Sequence, residues 1–291
     1  MIKNNIILEI EKLLDNKKIL DYNILSDSFG INCLKIETED KELYIVKYYY
    51  KKEGGFNAIK SEADNLLFLN TNKFNFFPRI INYNNVFLIM SFIDNNNYLP
   101  NKTNDDLLGA IISLHSKRSD NYGFNFDTQI GGLMQSNSKS KNWVEFYGDK
   151  RLHYIFDLIN KNQPMDKTIN TKIELLLKKI DNFIPNKPKP SLLHGDLWEG
   201  NILFKNKKFS GFIDPGSFYG HNELEVSYLR WFDPTFIDRN FLDRYNDHIS
   251  IDKNYINYEP IYQLYYSLLN VYLWDRIYIE NVRRLLDKIK I

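Results

Sequence analysis

The sequence predicts an α+β chain: a small N-terminal part of antiparallel strands with one helix, then a larger part that is mainly helical. Three observations carry this. Residues 22–50 and 74–93 each read as apolar runs joined by short polar turns, the pattern of paired strands. From residue 104 onward the apolar spacing becomes helical, with Asn or Asp at the first candidate cap. One further hairpin stands inside the helical part, where the runs 201–204 and 209–213 flank the turn text KNKK.

Taken in order, residues 1–14 suit a helix whose buried stripe is Ile6, Ile7, Ile10, Leu13 and Leu14. Glu9, Glu11 and Lys12 interrupt that stretch, so an amphipathic helix rather than a signal peptide is expected. Two strands follow, joined by a turn at Glu39–Lys41, and Lys47 lies inside the apolar run LYIVKYYY. A lysine in a strand usually faces solvent. The next helix, 58–70, changes that expectation by placing Glu62 in line with Leu66 and Leu69 at the edge of the buried face. A carboxylate there needs a cation, and Lys47 is the obvious one. Two more strands turn at Tyr83–Asn85, and the polar text NNNYLPNKTN sets a boundary between 1–93 and 94–291.

Helix 104–117 carries His115 near its C-terminal end, a favourable place for its charge. Helical text over 151–184 is broken by Pro164, and the Pro-rich FIPNKPKPS cannot be helical. After His221 a short helix begins with Glu223 and Glu225 in its first turn, where the dipole favours carboxylates. From about 237 to the end the text is helical, and the aromatic stripe Tyr258, Tyr262, Tyr265, Tyr266, Tyr272, Trp274 and Tyr278 reads as core.

The stretch Leu193–His221 holds the chemistry. Asp196 and Asn201 stand five apart on a loop, and the hairpin then delivers Asp214. The order D-x-x-x-x-N, hairpin, D is the spacing of phosphoryl-transfer enzymes of the protein-kinase type. One carboxylate accepts the attacking hydroxyl's proton. A second carboxylate and an amide oxygen hold Mg²⁺ against the phosphates of ATP, and phosphate and water complete its oxygen shell.

HGDLWEGN followed by DPGSFYGHNELE resembles the fructosamine/ketosamine 3-kinase family, relatives of the aminoglycoside and choline kinases. The resemblance implies a bilobal protein-kinase-like fold. It implies Asp196 as the catalytic base, Asn201 and Asp214 as Mg²⁺ ligands, and Lys47, aimed by Glu62, on the ATP phosphates. Ser26–Asn32 would be the phosphate-covering loop, in which only Gly30 remains of the family's glycine pair. Met90, Ser91 and Phe92 would lead into the adenine-binding linker at about Ser91–Asp94. Trp198 and Glu199 of HGDLWEGN, with Gln135, Asn137 and Trp143 from a block where Gly123 and Arg151 also match, would shape the sugar-amine pocket. His194 would anchor the catalytic loop and His221 would buttress the metal loop. The implied substrate is a ketosamine, free or carried on a protein, phosphorylated at O3.

Bulk properties narrow the partners. A net charge of +1 recommends neither nucleic acid nor an anionic membrane. The single cysteine, Cys33, allows no intramolecular disulfide and points to a reducing, cytoplasmic setting. Beside the phosphate loop, an exposed Cys33 would let an intermolecular disulfide gate ATP entry. A monomer or weak homodimer is expected. Two alternatives stay open. One is a kinase for another amino-alcohol or an aminoglycoside, with Asp233, Asp238, Asp243 and Glu199 facing a cationic substrate. The other is an inactive kinase-like binding protein. Protein-kinase activity is not expected, because no APE-like activation segment follows Asp214.

Overall fold

The computed structural model describes residues 3–50 and 55–289. The chain divides into two compact units, each drawn from separate stretches. The first gathers Met1–Tyr98, Thr128–Met134 and Gly200–Gly216; the second gathers Leu99–Asp127, Gln135–Glu199 and Ser217–Ile291. In chain order the elements are α1 (Asn4–Leu13), β1 (Ile19–Ser28), β2 (Ile31–Thr38), β3 (Leu43–Tyr49), α2 (Ala58–Thr71), β4 (Ile80–Tyr83), β5 (Phe87–Ser91), α3 (Asp105–Ser116), β6 (Thr128–Ile130) and β7 (Leu133–Gln135). Then come α4 (Trp143–Tyr147), a π-helical turn at Gly148–His153, α5 (Tyr154–Asn162), α6 (Lys167–Lys178), β8 (Ser191–Leu193), β9 (Ile202–Lys205), β10 (Lys208–Phe212) and β11 (Phe218–Gly220). The last helices are α7 (Asn222–Trp231), α8 (Phe241–Asn246), α9 (Tyr255–Leu273) and α10 (Ile279–Lys288).

The first unit is built on an antiparallel sheet in the order β1-β2-β3-β5-β4. Strand side chains alternate between faces. Tyr44, Val46 and Tyr48 of β3 join Leu34, Ile36, Phe87 and Ile89 in one apolar cluster, with Ile10 and Leu14 from the first helix and its end. That parity puts Ile45 and Lys47 on the other face. Helix α2 starts from Asn57, whose side chain accepts the Lys60 N–H, and buries Glu62, Leu66 and Leu69 as their spacing predicts. The expected phosphate loop is no open loop. Strands run to Ser28 and from Ile31, and the turn is only Phe29–Gly30, both at positive φ.

Hairpin β9–β10 belongs to this unit. Its turn, Asn206–Lys207, has both residues at positive φ, the twist that two-residue hairpins favour. Phe212 packs edge-on against Phe76 at 5.5 Å, and its N–H donates to the Phe76 carbonyl at 2.8 Å. Such a close approach requires glycine next door: a Cβ on Gly211 would come within 2.7 Å of that same carbonyl oxygen. One residue beyond the strand, the Ile213 N–H donates to the Asn201 carbonyl at 3.1 Å. The ladder therefore sets Asn201 opposite Ile213, with Asp214 next in the chain.

The second unit is mainly helical. Helix α7 is buried all along Asn222–Leu229 and packs on α9. The aromatic stripe is core only in part: Tyr258, Tyr262, Tyr265 and Tyr266 are buried, whereas Tyr272 and Tyr278 are half-buried and Trp274 is exposed. The stripe leaves the core where α9 ends, at Leu273.

Candidate active site

In the first unit, Lys47 meets two carboxylates. Its Nζ donates to Glu62 Oε1 and Oε2 at 2.7 and 2.8 Å and to Asp214 Oδ1 at 2.7 Å. Burial alone would drive the ammonium toward neutrality, but the charges of Asp214 and Glu62 outweigh it and hold the lysine protonated. Burial pushes the Glu62 carboxyl up, and Lys47 opposes that shift. Of the two acids Asp214 is the more open, its side chain 39% exposed against 6% for Glu62.

Lys47 and Asp214 line a cavity of about 450 Å³, together with Cys33, Ile45, Met90 and Phe92. Ser91 lines it as well. The Ser91 Oγ accepts the Arg79 N–H at 2.9 Å, and the Phe92 ring lies under the Lys35 ammonium at 4.2 Å. The cavity meets the β1–β2 hairpin at Leu25, Ser26 and Cys33, below the tip that carries Gly30. Cys33 is half-buried, and burial pushes its thiol up to about 12, so the reactive thiolate is scarce at neutral pH. Asn201 is buried. Among the described residues no three His, Cys, Asp or Glu side chains gather as a self-sufficient metal cage. Asp214 and Asn201 offer a carboxylate and an amide, a hard-oxygen pair that suits Mg²⁺ when phosphate and water complete the shell.

In the second unit, β8 pairs with β11 and delivers the loop His194–Asp196. Glu225, one turn into α7, accepts the N–H of His194 at 2.9 Å and of Gly195 at 2.7 Å. His115 Nε2 lies 3.0 Å from the same carboxylate, and its Nδ1 lies 2.7 Å from the Tyr245 hydroxyl. Burial alone would raise the Glu225 pKa; the His115 contact and the loop amides reverse the sign and keep it ionised. His194 Nδ1 accepts the Asp196 N–H at 3.2 Å. Sequence reasoning had Glu225 and His115 only as helix-end charges. The missed signal is burial: both side chains lie in the core, which no local spacing reveals.

The residues expected around the sugar separate into two groups. Trp198 is 39% exposed and Glu199 half-buried, open to a ligand. Trp143 has no exposed surface, its Nε1–H donates to the Tyr262 hydroxyl at 2.8 Å, and Tyr122, Phe146 and Tyr147 surround it. Its place in a pocket wall is therefore corrected: it is a core tryptophan. Asn137 is buried as well; its Oδ1 accepts from Arg151 Nη2 at 2.6 Å and its Nδ2 donates to the Phe126 carbonyl at 3.2 Å. Gln135 Oε1 accepts from the Tyr265 hydroxyl at 3.3 Å. Gly123 is required here for a close approach, since a Cβ would come within 2.4 Å of the Asn137 carbonyl oxygen at φ +95°. His221, expected to buttress the metal loop, lies 2.9 Å from the Tyr262 hydroxyl and edge-on to Trp143.

The sequence profile of the fructosamine kinase family matches residues 11–291. The chain belongs to this family. It is a kinase-type enzyme. Among members of known sequence, it is 30% identical over 266 residues to a "probable ketoamine kinase" of Enterococcus faecium, covering 87% of this chain and 89% of that one. It is 32% identical over 210 residues to the chloroplastic protein-ribulosamine 3-kinase of Arabidopsis thaliana, covering 69% and 61%. The fold matches a crystal structure of a proposed fructosamine-3-kinase from Thermobifida fusca with a TM-score of 0.83 at 21% identity, covering 98% of each chain. The bilobal, protein-kinase-like α+β architecture is thereby shown. No helix among the described residues is long and apolar enough to cross a membrane.

Proposed function

We propose that this fructosamine kinase homologue transfers the γ-phosphoryl group of ATP to a sugar-type hydroxyl, O3 of a ketosamine. The observation that carries the reading is the clamp on Lys47: a buried ammonium held by Glu62 and aimed, with Asp214, into a nucleotide-sized cavity. Lys47 supplies positive charge to the phosphates as charge redistributes. Asp214 and Asn201 would hold Mg²⁺, which would offset negative charge on the phosphates. Asp196, its backbone fixed by Glu225 and His194, orients the substrate hydroxyl and takes its proton. Trp198 lays its exposed ring against the sugar, and Glu199 stands beside it.

The related kinases act on ketosamines by name, which favours that substrate class over an aminoglycoside. One of the acids an aminoglycoside would need is otherwise engaged: Asp238 accepts the N–H of Thr103 at 3.0 Å and of Asn240 at 2.9 Å. The test is ADP release across fructosamines, ribulosamines, choline and kanamycin, with Asp196→Asn alongside. The reading expects turnover of a ketosamine, lost in Asp196→Asn while MgATP still raises the melting temperature. Turnover of kanamycin or choline alone would replace the substrate. Failure of MgATP to stabilise the protein at millimolar concentration would replace the enzyme with a binding protein.

A further inference from the structure

Helix α7 presents two successive groups to the catalytic loop. Glu225 holds the loop's backbone at His194 and Gly195. Tyr228, three residues on and so on the same helix face, is buried with its hydroxyl hydrogen-bonded to the Asp196 side chain. Its ring cannot swing away. It lies parallel to Tyr266 of α9 with centroids 3.6 Å apart and planes within 1°, and Trp231 borders it at 6.2 Å.

We propose that Tyr228 is a positioning residue for the catalytic base: its hydroxyl occupies one oxygen of the Asp196 carboxylate and turns the other toward the substrate hydroxyl. This deepens the reading of Asp196 as the base and rests on it. The loop backbone alone does not fix the carboxylate's rotation about its side-chain bonds. A fixed donor on one oxygen limits that rotation and presents the other oxygen to the reacting proton. Burial first, then the neighbouring Asp196 charge, pushes the phenol well above its ordinary range, so Tyr228 keeps its proton and acts only as a donor.

The test is Tyr228→Phe, which keeps the stacked ring and removes only the hydroxyl. With a ketosamine that the wild type phosphorylates, kcat should fall roughly tenfold, as expected when a charge-assisted hydrogen bond is lost. KM for ATP, KM for the ketosamine and the melting temperature should stay within about twofold or a few degrees. On the residual turnover of Asp196→Asn, followed at high enzyme concentration, the same change should cost nothing further, because its effect passes through that carboxylate. An unchanged kcat in a folded Tyr228→Phe protein overturns the proposal, as does a loss that persists undiminished in the Asp196→Asn background. If Asp196→Asn itself retains full turnover, the parent reading fails first, and the two failures are thereby told apart.

Discussion

Each unit of this protein contains a buried cation amid apolar sequence, and the two are satisfied in opposite ways. In the first, Lys47 faces two carboxylates, one of them open to a cavity. In the second, Arg151 lies between the rings of Phe146 and Phe218, at 4.8 and 4.2 Å, and donates to the Ser136 carbonyl at 2.9 Å and to Asn137 at 2.6 Å. Arg151 has no exposed surface. The first arrangement stands at an open cavity; the second is walled in by protein, with Arg151 Nε buried and without a hydrogen-bond partner among the described residues. A group that faces a cavity can meet a ligand, whereas one enclosed by rings and backbone can only hold the fold in place.

Substitutions to methionine test that contrast directly. Lys47→Met should lower kcat/KM roughly a thousandfold, the scale of losing a preorganised charge contact in a phosphoryl-transfer site. Steady-state kinetics read it, and a loss below tenfold would remove Lys47 from the mechanism. Arg151→Met should do the reverse. It leaves the Ser136 carbonyl and the Asn137 amide oxygen without their donor, at a cost of about 2–4 kcal/mol in a urea melt, while the sugar KM moves little. A raised KM at unchanged stability would return Asn137 and Arg151 to the pocket wall.

Trp143→Phe should cost about 1–2 kcal/mol, for the lost bond to Tyr262 and the smaller ring, again with the sugar KM unmoved. The effect that is smallest near neutral pH concerns His221. Burial first, then the charges of Arg118 and His115, lowers its pKa from an ordinary 6.5 to about 3. Between those values the unfolded chain takes up a proton that the folded chain refuses. The stability this gives is full above pH 6.5 and is lost as pH falls toward 3, by at most about 1.4 kcal/mol per pH unit. His221→Gln should flatten the acid slope of the melting temperature; an unchanged slope would show that His221 is already protonated in the fold.

Much of this was legible in the sequence. The alternation around Lys47 and the heptad-like line Glu62, Leu66, Leu69 are local patterns, and the ion pair follows from them. The hairpin 201–213 was readable from its turn, and so was the arrival of Asp214. What sequence did not show is which polar residues end up closed. Gln135, Asn137 and Trp143 carry the chemistry of a polyol pocket, yet the partners of Gln135 and Trp143, Tyr265 and Tyr262, lie more than a hundred residues along the chain, and Arg151, fourteen residues from Asn137, gives no sign in the sequence that it turns inward. Glu225 and Tyr228 were hidden for the same reason: α7 is buried all round, so its polar residues have no exposed face to betray their task. The hairpin's Gly211 likewise answers to Phe76, a contact across more than a hundred residues.

The measurement that bears most directly on the Lys47 clamp is the melting temperature with and without millimolar MgATP, in the wild type, Lys47→Met and Arg151→Met. A nucleotide that binds only the folded state must raise it. The wild type should gain several degrees, and Lys47→Met should gain little. Arg151→Met should start lower but gain as much as the wild type. An equal gain in Lys47→Met, or none in the wild type, would contradict the assignment of this cavity to the nucleotide.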